Sequence, residues 1–402
     1  MRRTAWHVRV DAIVLVWLAI EVVLAAAALT VEVPTWALVH VLLLGVVSNA
    51  ILIWSSHFAA AMLNLPVDTG QRALAARLVA FNVGVAVVIG GMLVGVVPVV
   101  VVGAGLAAGA VGWQAVVLSG WLRSAPPTRL GPTVWYYVVA GFLLIAGVVI
   151  GTLMAPDSMA QGTQARLVLA HIELNVLGWV GLTLVGTLVQ LWPTMLRTPL
   201  AAGSERSARL ALPVLLVGCV GSAAALLAGA QILAALGLAA YLIGLVIVGV
   251  PLGATAVSKP PNSYATRSVL AACAWFVGCL IALIVMLLIN PEAEQVTQVA
   301  DRLAAPLLVG FAAQLIVGAM SFLIPVVLGG GPATARATND LLDRAGIVRL
   351  MVINLGVALV LLPVPQGVVV GAGVAVLAAF AVFPVLAVSS VVVAYRRRRR
   401  PW

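Results

Sequence analysis

Charge is scarce in this chain. Asp, Glu, Lys and Arg make up 8% of its 402 residues, while 63% are hydrophobic. A soluble domain of this length carries roughly 25% charged residues. The deficit therefore excludes a soluble globular fold and points to a polytopic membrane protein. Histidine is scarcer still, with four residues in all. The three cysteines, Cys219, Cys273 and Cys279, sit in apolar runs without CxxC spacing. That excludes a cysteine-built metal site and covalent haem attachment, and leaves them as small buried hydrophobes. No P-loop, no GxGxxG and no local nucleophile motif is present, so nothing points to an NTPase, a dinucleotide enzyme or a hydrolase. Acidic residues are also few, and the net charge is +10. The run Arg396–Arg400 follows the last apolar run and reads as an anchor on anionic headgroups. No nucleic-acid partner is expected.

What the chain has in abundance is apolar runs of membrane-crossing length. Twelve are expected, at 11–31, 35–58, 74–96, 99–122, 134–154, 165–192, 210–229, 231–252, 268–290, 304–328, 347–363 and 369–394. They are called spans 1 to 12 below. Spans 3 and 4 are parted only by Val97 and Pro98, so that boundary is weak. The fold expected is all-α: a single integral membrane domain over 1–402, with 396–402 as a basic tail. Met1–Val10 reads as a short basic tail rather than a secretory signal.

The few charges order these spans. With the amino terminus in the cytoplasm, the inner segments hold Arg2, Arg3, Arg9, Arg72, Arg77, Arg123, Arg129, Arg197, Arg206, Arg209, Lys259, Arg267, Arg336, Arg344, Arg349 and Arg396–Arg400. Only Arg166 and Arg302 fall outside. This is the positive-inside pattern, and it places both termini in the cytoplasm. The heavy use of Arg over Lys suggests a GC-rich bacterial source and hence a bacterial cytoplasmic membrane.

The spans repeat. Aligned without gaps, span 6 and span 10 match at Gly178 and Gly310, Trp179 and Phe311, Gly186 and Gly318, and Pro193 and Pro325. Pro199 and Pro332 follow. Span 2 joins through Gly45 and Met62-Leu63, against Gly178 and Met195-Leu196. Spans 2, 6 and 10 are four apart and run in one direction, so three four-helix arcs are expected.

Polar groups inside these spans need protein partners, because hydrocarbon offers none. The stretch A-H-I-E-L-N in span 6 carries His171, Glu173 and Asn175. At about 100° per residue, His171, Asn175, Gly178 and Gly186 share one face, with Glu173 on the opposite side. Span 6 should thus have protein on both sides, with Glu173 turned to an adjoining helix or to the outer rim near Arg166. Gly310, Gln314, Gly318 and Ser321 form a similar stripe in span 10. His40 lies about 8 Å down span 2, at a depth matching His171 in span 6. Asn49 and the mid-span Glu21 complete the intramembrane polar set. His57 and His7 are expected at an interface or in solvent.

These features resemble the catalytic subunit of haem-copper oxidases, which has twelve helices in three arcs and special residues on spans 2, 6 and 10. The resemblance implies that His40 stands for a haem ligand, His171 for the copper-ligand His of the sixth helix and Glu173 for the glutamate that follows it. Asn175 replaces a tyrosine and Ile172 a proline. Span 10 offers Gln314 where that family has a His pair, and span 7 has no His. A three-His copper centre is therefore not available, and oxygen reduction by that mechanism is excluded by counting. The layout is also similar to the NnrS family of twelve-span haem proteins, and to the membrane portion that precedes a copper nitrite-reductase-like domain in some actinobacterial proteins.

Three functions stay open on the sequence. One is a membrane protein binding haem b or copper through His40 and His171, served by a periplasmic or membrane redox partner. Another is a permease for an ion or small molecule, using Glu21, Glu173 and the glycine-rich faces. The third is a structural or partner-binding relic of the oxidase fold with no cofactor. None of the three requires the chain to be an enzyme.

Overall fold

A computed structural model describes residues 2–66, 69–156, 159–290 and 292–398. The described residues are helical throughout, with no strand among them. Among the described residues, eleven helices are long and apolar enough to cross a membrane. Spans 1 to 10 are Trp6–Ala27, Thr35–Met62, Gln71–Val94, Val97–Ser124, Gly131–Leu153, Gln161–Leu196, Ser204–Leu227, Gln231–Ser258, Tyr264–Ile289 and Pro306–Leu328, and span 12 is Gln366–Arg397. Span 11 differs from the expectation. It is a helix of 15 residues, Gly346–Val360. At 1.5 Å per residue it reaches about 22 Å, short of a hydrocarbon core of about 30 Å. Two further helices, Ala293–Ala300 and Gly331–Leu342, flank span 10.

The weak boundary between spans 3 and 4 is a sharp turn. Gly95 takes φ +69°, where a side chain is strained, and ends span 3. Pro98 then falls in the first turn of span 4, where its missing N–H costs nothing. The helices on either side pack backbone to backbone. A Cβ on Gly84 would lie 2.6 Å from the Ala107 nitrogen, and one on Gly103 would lie 2.6 Å from the Val88 nitrogen. Spans 7 and 8 repeat this geometry. A Cβ on Gly218 would lie 2.5 Å from the Tyr241 nitrogen, and one on Gly237 2.6 Å from the Ser222 nitrogen. Glycine is required at all four positions because the opposing atoms are main chain.

The contacts gather into two compact units. One comprises 1–50, 261–279 and 302–402; the other comprises 51–260 and 280–301. Outward positions are apolar, for example Val257, 83% exposed, and Val217, 68% exposed. Such a surface is what lipid covers and water does not. Buried share separates the helices further. Along their most apolar stretch, spans 2, 6 and 10 are 67%, 83% and 56% buried, while no other span exceeds 50%. The three spans that share a sequence pattern are thus the most enclosed.

The same three spans carry π-helical segments. These are Val41–Ser48 in span 2, Glu173–Gly181 in span 6 and Pro306–Ala313 in span 10. This conformation takes well under about 1% of residues in ordinary proteins, and it clusters at functional sites. Each segment contains the matched glycine, and each glycine meets the preceding span. A Cβ on Gly45 would lie 2.6 Å from the Trp17 ring, one on Gly178 2.8 Å from Leu143, and one on Gly310 2.8 Å from Trp275.

Candidate functional site

His171 stands two residues before the π-segment of span 6. Its ring nitrogen Nδ1 lies 2.8 Å from the Gly147 carbonyl oxygen of span 5. A carbonyl only accepts, so Nδ1 carries the proton and Nε2 the lone pair. Span 5 makes room for this with two glycines. A Cβ on Gly151 would come 2.8 Å from His171 Cε1, and one on Gly147 2.4 Å from Asn175 Nδ2. Asn175 lies one turn deeper on the same face, as its spacing predicts, and donates Nδ2–H to the His171 carbonyl at 2.7 Å. Both side chains are half-buried.

Glu173 points the other way and is 1% exposed. Neither carboxyl oxygen has a hydrogen-bond partner among the described residues. Of the two directions expected, the adjoining helix is the one observed. Ser222 of span 7 lies beside the carboxyl, but its hydroxyl donates to the Ala234 carbonyl at 2.9 Å. Arg166 does not reach Glu173; its Nε donates to the Gly162 carbonyl at 3.1 Å. Spans 7 and 8 also support the widened backbone here. Tyr241 donates its hydroxyl to the Leu177 carbonyl at 2.8 Å, and the Cys219 thiol approaches the Glu173 carbonyl at 3.8 Å.

His40 immediately precedes the π-segment of span 2. Its Nδ1 lies 2.7 Å from the Trp36 carbonyl, which selects the same tautomer as in His171. Within that segment Ser48 donates to Leu43 O and Asn49 to Gly45 O, each at 2.8 Å. Asn49 is thus a fully buried backbone clamp. His40 belongs to the first compact unit and His171 to the second.

The remaining expected residues are placed as follows. Gln314 is fully buried and sends Nε2 toward the Ser268 carbonyl at 3.4 Å, while its Oε1 has no partner among the described residues. Its face therefore meets protein and not lipid. Glu21 has one buried carboxyl oxygen, Oε2, without such a partner. His7 departs from the solvated position expected for it. It is 1% exposed, with Nδ1 3.9 Å from Asp11 Oδ2, because the first helix begins well before span 1 and carries His7 and Asp11 one turn apart on one side. His57 packs edge-on to the Trp54 and Phe58 rings at 5.3 and 5.9 Å. Among the described residues, no three His, Cys, Asp or Glu stand together as a metal-holding group.

Two buried arginines join this set, and the positive-inside pattern alone conceals them. Arg77 is 0% exposed, with no hydrogen bond from its guanidinium among the described residues. Its carbon lies 5.6 Å from the Trp113 ring centroid. Arg349 is 3% exposed, lies 3.9 Å over the Tyr264 ring and donates to the Leu342 carbonyl at 3.2 Å. The sequence signal for both is a shared pattern, R-L-x3-N-x-G, at Arg77-Leu78, Asn82 and Gly84 in span 3 and at Arg349-Leu350, Asn354 and Gly356 in span 11. Both asparagines donate to the carbonyl four residues back, at 2.7 Å. No protein-family model matches this chain, and a search of curated proteins finds no match.

Proposed function

We propose that the chain is a multi-pass protein of the bacterial cytoplasmic membrane, built from three four-helix arcs, that binds b-type haem through His40 and His171. In this reading it is a divergent relative of haem-copper oxidase catalytic subunits or NnrS-like proteins, exchanges electrons with a periplasmic or membrane redox partner, and is not itself an oxygen reductase. One observation carries the ligand assignment. Both imidazoles give Nδ1–H to a main-chain carbonyl, the outer hydrogen bond that metal-bound histidines make. In this reading Nε2 is the ligating atom of each.

Haem suits this donor set better than copper. A copper site held by protein alone needs a group of ligands, and no such group of three occurs among the described residues. A haem would ask the protein for only one or two imidazoles, which His40 and His171 would supply. When bound, it supplies one-electron chemistry.

The arcs are supported by the π-segments at matched places in spans 2, 6 and 10, by the twin glycine hairpins of spans 3–4 and 7–8, and by the R-L-x3-N-x-G pattern of spans 3 and 11. For topology, the 15-residue span 11 is taken to cross as a short twelfth span, so both termini are assigned to the cytoplasm. Reporter fusions after Pro66, Pro127, Pro199, Pro260 and Pro332 are expected to report cytoplasm, and exterior signals from two of them overturn the arrangement.

A second reading is favoured by the fit of His171 and Asn175 into the glycine seam of span 5. There the histidine is a packing and hydrogen-bonding group, and the chain is a cofactor-free relic. The visible spectrum of protein purified after expression with haem supplied separates the two. A haem absorbance that His40→Ala and His171→Ala each remove, and that His57→Ala keeps, is the expected result. Colourless wild-type protein leaves the structural reading.

A further inference from the structure

The stretch between spans 4 and 5 reads A-P-P-T-R-L-G-P, Ala125–Pro132. It is pinned rather than loose. Thr128 donates its hydroxyl to the Met62 carbonyl at 2.6 Å, and a short 3-10 turn, Gly131–Val134, leads into span 5. Tyr136, 1% exposed, then fastens span 5 to the start of span 7 through a 2.7 Å hydrogen bond to the Ala208 carbonyl.

Beside that bond the two helix starts leave a cavity of about 340 Å³, lined among others by Arg129, Thr133, Trp135, Tyr136, Glu205 and Arg209. Its size falls in the small-molecule range, roughly 300–1,000 Å³. Its charge does not cancel. Arg129 is ion-paired with Glu205, whereas Arg209 has no ion pair or hydrogen bond with any described residue. One positive charge is left over. The cavity also has an apolar margin, since Trp135, 40% exposed, and the half-buried Leu212 both line it. An aromatic at that level is typical of the bilayer interface.

We propose that this cavity holds the phosphate headgroup of an anionic phospholipid, with Arg209 as its counter-charge, Arg129 and Thr133 as further donors, and the acyl chain lying along Trp135 and Leu212. Glu205 is kept from repelling the phosphate by its pairing with Arg129. The lipid source is favoured over a soluble anion by the apolar margin of Trp135 and Leu212. Arg72, Arg123, Arg197 and Arg206 at the same ends of the spans also enrich anionic lipid there. The site rests on the membrane placement proposed above and is independent of haem.

The test uses the whole protein purified in detergent, titrated by native mass spectrometry with phosphatidylglycerol, phosphatidylcholine and inorganic phosphate. Phosphatidylglycerol should bind in preference to phosphatidylcholine. Arg209→Gln should weaken it about five-fold, the equivalent of about 1 kcal/mol per basic residue near a membrane surface. Arg209→Lys should keep most of the binding, and Arg267→Gln, which does not line the cavity, should change nothing. Equal binding of the two lipids, or an unaltered Arg209→Gln protein that unfolds at the wild-type temperature, overturns the proposal. Displacement of phosphatidylglycerol by millimolar inorganic phosphate retains the phosphate chemistry but overturns the lipid as its source. Because the readout is lipid mass, its failure leaves the haem assignment untouched, and a colourless protein leaves this site untouched.

Discussion

Gly84→Ala in span 3 and Gly218→Ala in span 7 should each loosen a helix hairpin that the fold depends on. In Gly84→Ala the new methyl carbon starts 2.6 Å from the Ala107 nitrogen and 2.8 Å from the Gly103 oxygen. In Gly218→Ala it starts 2.5 Å from the Tyr241 nitrogen and 2.8 Å from the Gly237 oxygen. Comfortable separation is about 3.5–4 Å, so the helices must part by about 1 Å, and main-chain atoms have no rotamer by which to yield. Overpacking of this kind costs about 1–3 kcal/mol. Alanine also gains up to about 1 kcal/mol over glycine in helix propensity. That gain cancels when the control is another Gly→Ala change on the same helix. Gly90 and Gly221 are such controls, with nothing within 4 Å of a new Cβ. The paired difference, Gly84→Ala against Gly90→Ala and Gly218→Ala against Gly221→Ala, is therefore the overpacking cost alone. Reversible unfolding in mixed detergent, followed by circular dichroism, measures it. Equal stability within each pair refutes the close backbone approach, and with it the twin-hairpin support for the three-arc reading.

Other outcomes follow from the same contacts. Gly151→Ala puts a methyl group 2.8 Å from His171 Cε1. It should displace the ring and lower haem content while insertion is unaffected, which a haem-to-protein absorbance ratio reads. Tyr241→Phe removes the donor to the Leu177 carbonyl. It should cost about 0.5–1.5 kcal/mol in the unfolding assay; no change means the π-segment of span 6 does not need that hydroxyl. Glu173→Leu removes two buried oxygens that have no partner among the described residues. It should leave stability unchanged or raise it, and a strong loss means the carboxyl has a partner in the membrane.

Much of this was legible in the chain, for physical reasons that also set the limits. Apolar length and the placement of arginines give the spans directly, because hydrocarbon tolerates neither unpaired backbone nor charge. The opposed faces of span 6 follow from the helical angle between His171 and Glu173, and the structure keeps them opposed. The pattern shared by spans 2, 6 and 10 is visible because the glycines at 45, 178 and 310 each meet a large side chain of the preceding span, Trp17, Leu143 and Trp275. Span 11 is shorter than hydropathy suggests. Its run continues through Leu361 and Leu362 to Pro363, but the helix ends at Val360, three residues before the Pro-Val-Pro that follows Leu362. The π-segment of span 6 has no sequence signal of its own, since its carbonyls take donors from other spans, Tyr241 of span 8 and Cys219 of span 7. The buried state of Arg77 is equally hidden, because a basic residue near a helix start reads as a topology marker whether it snorkels or lies against Trp113. The partner of His171 is hidden for a similar reason. Gly147 and Gly151 look like two more small residues in a membrane helix until the imidazole is seen against them.

The ligand assignment is tested most directly by the reduced-minus-oxidised visible spectrum of the purified protein, with pyridine haemochrome quantification, for wild type, His40→Ala, His171→Ala and His57→Ala. The account predicts b-type haem bands in wild type and in His57→Ala, and their loss in both His40→Ala and His171→Ala at unchanged membrane insertion. Wild-type protein without haem, or bands that survive both substitutions, contradicts it.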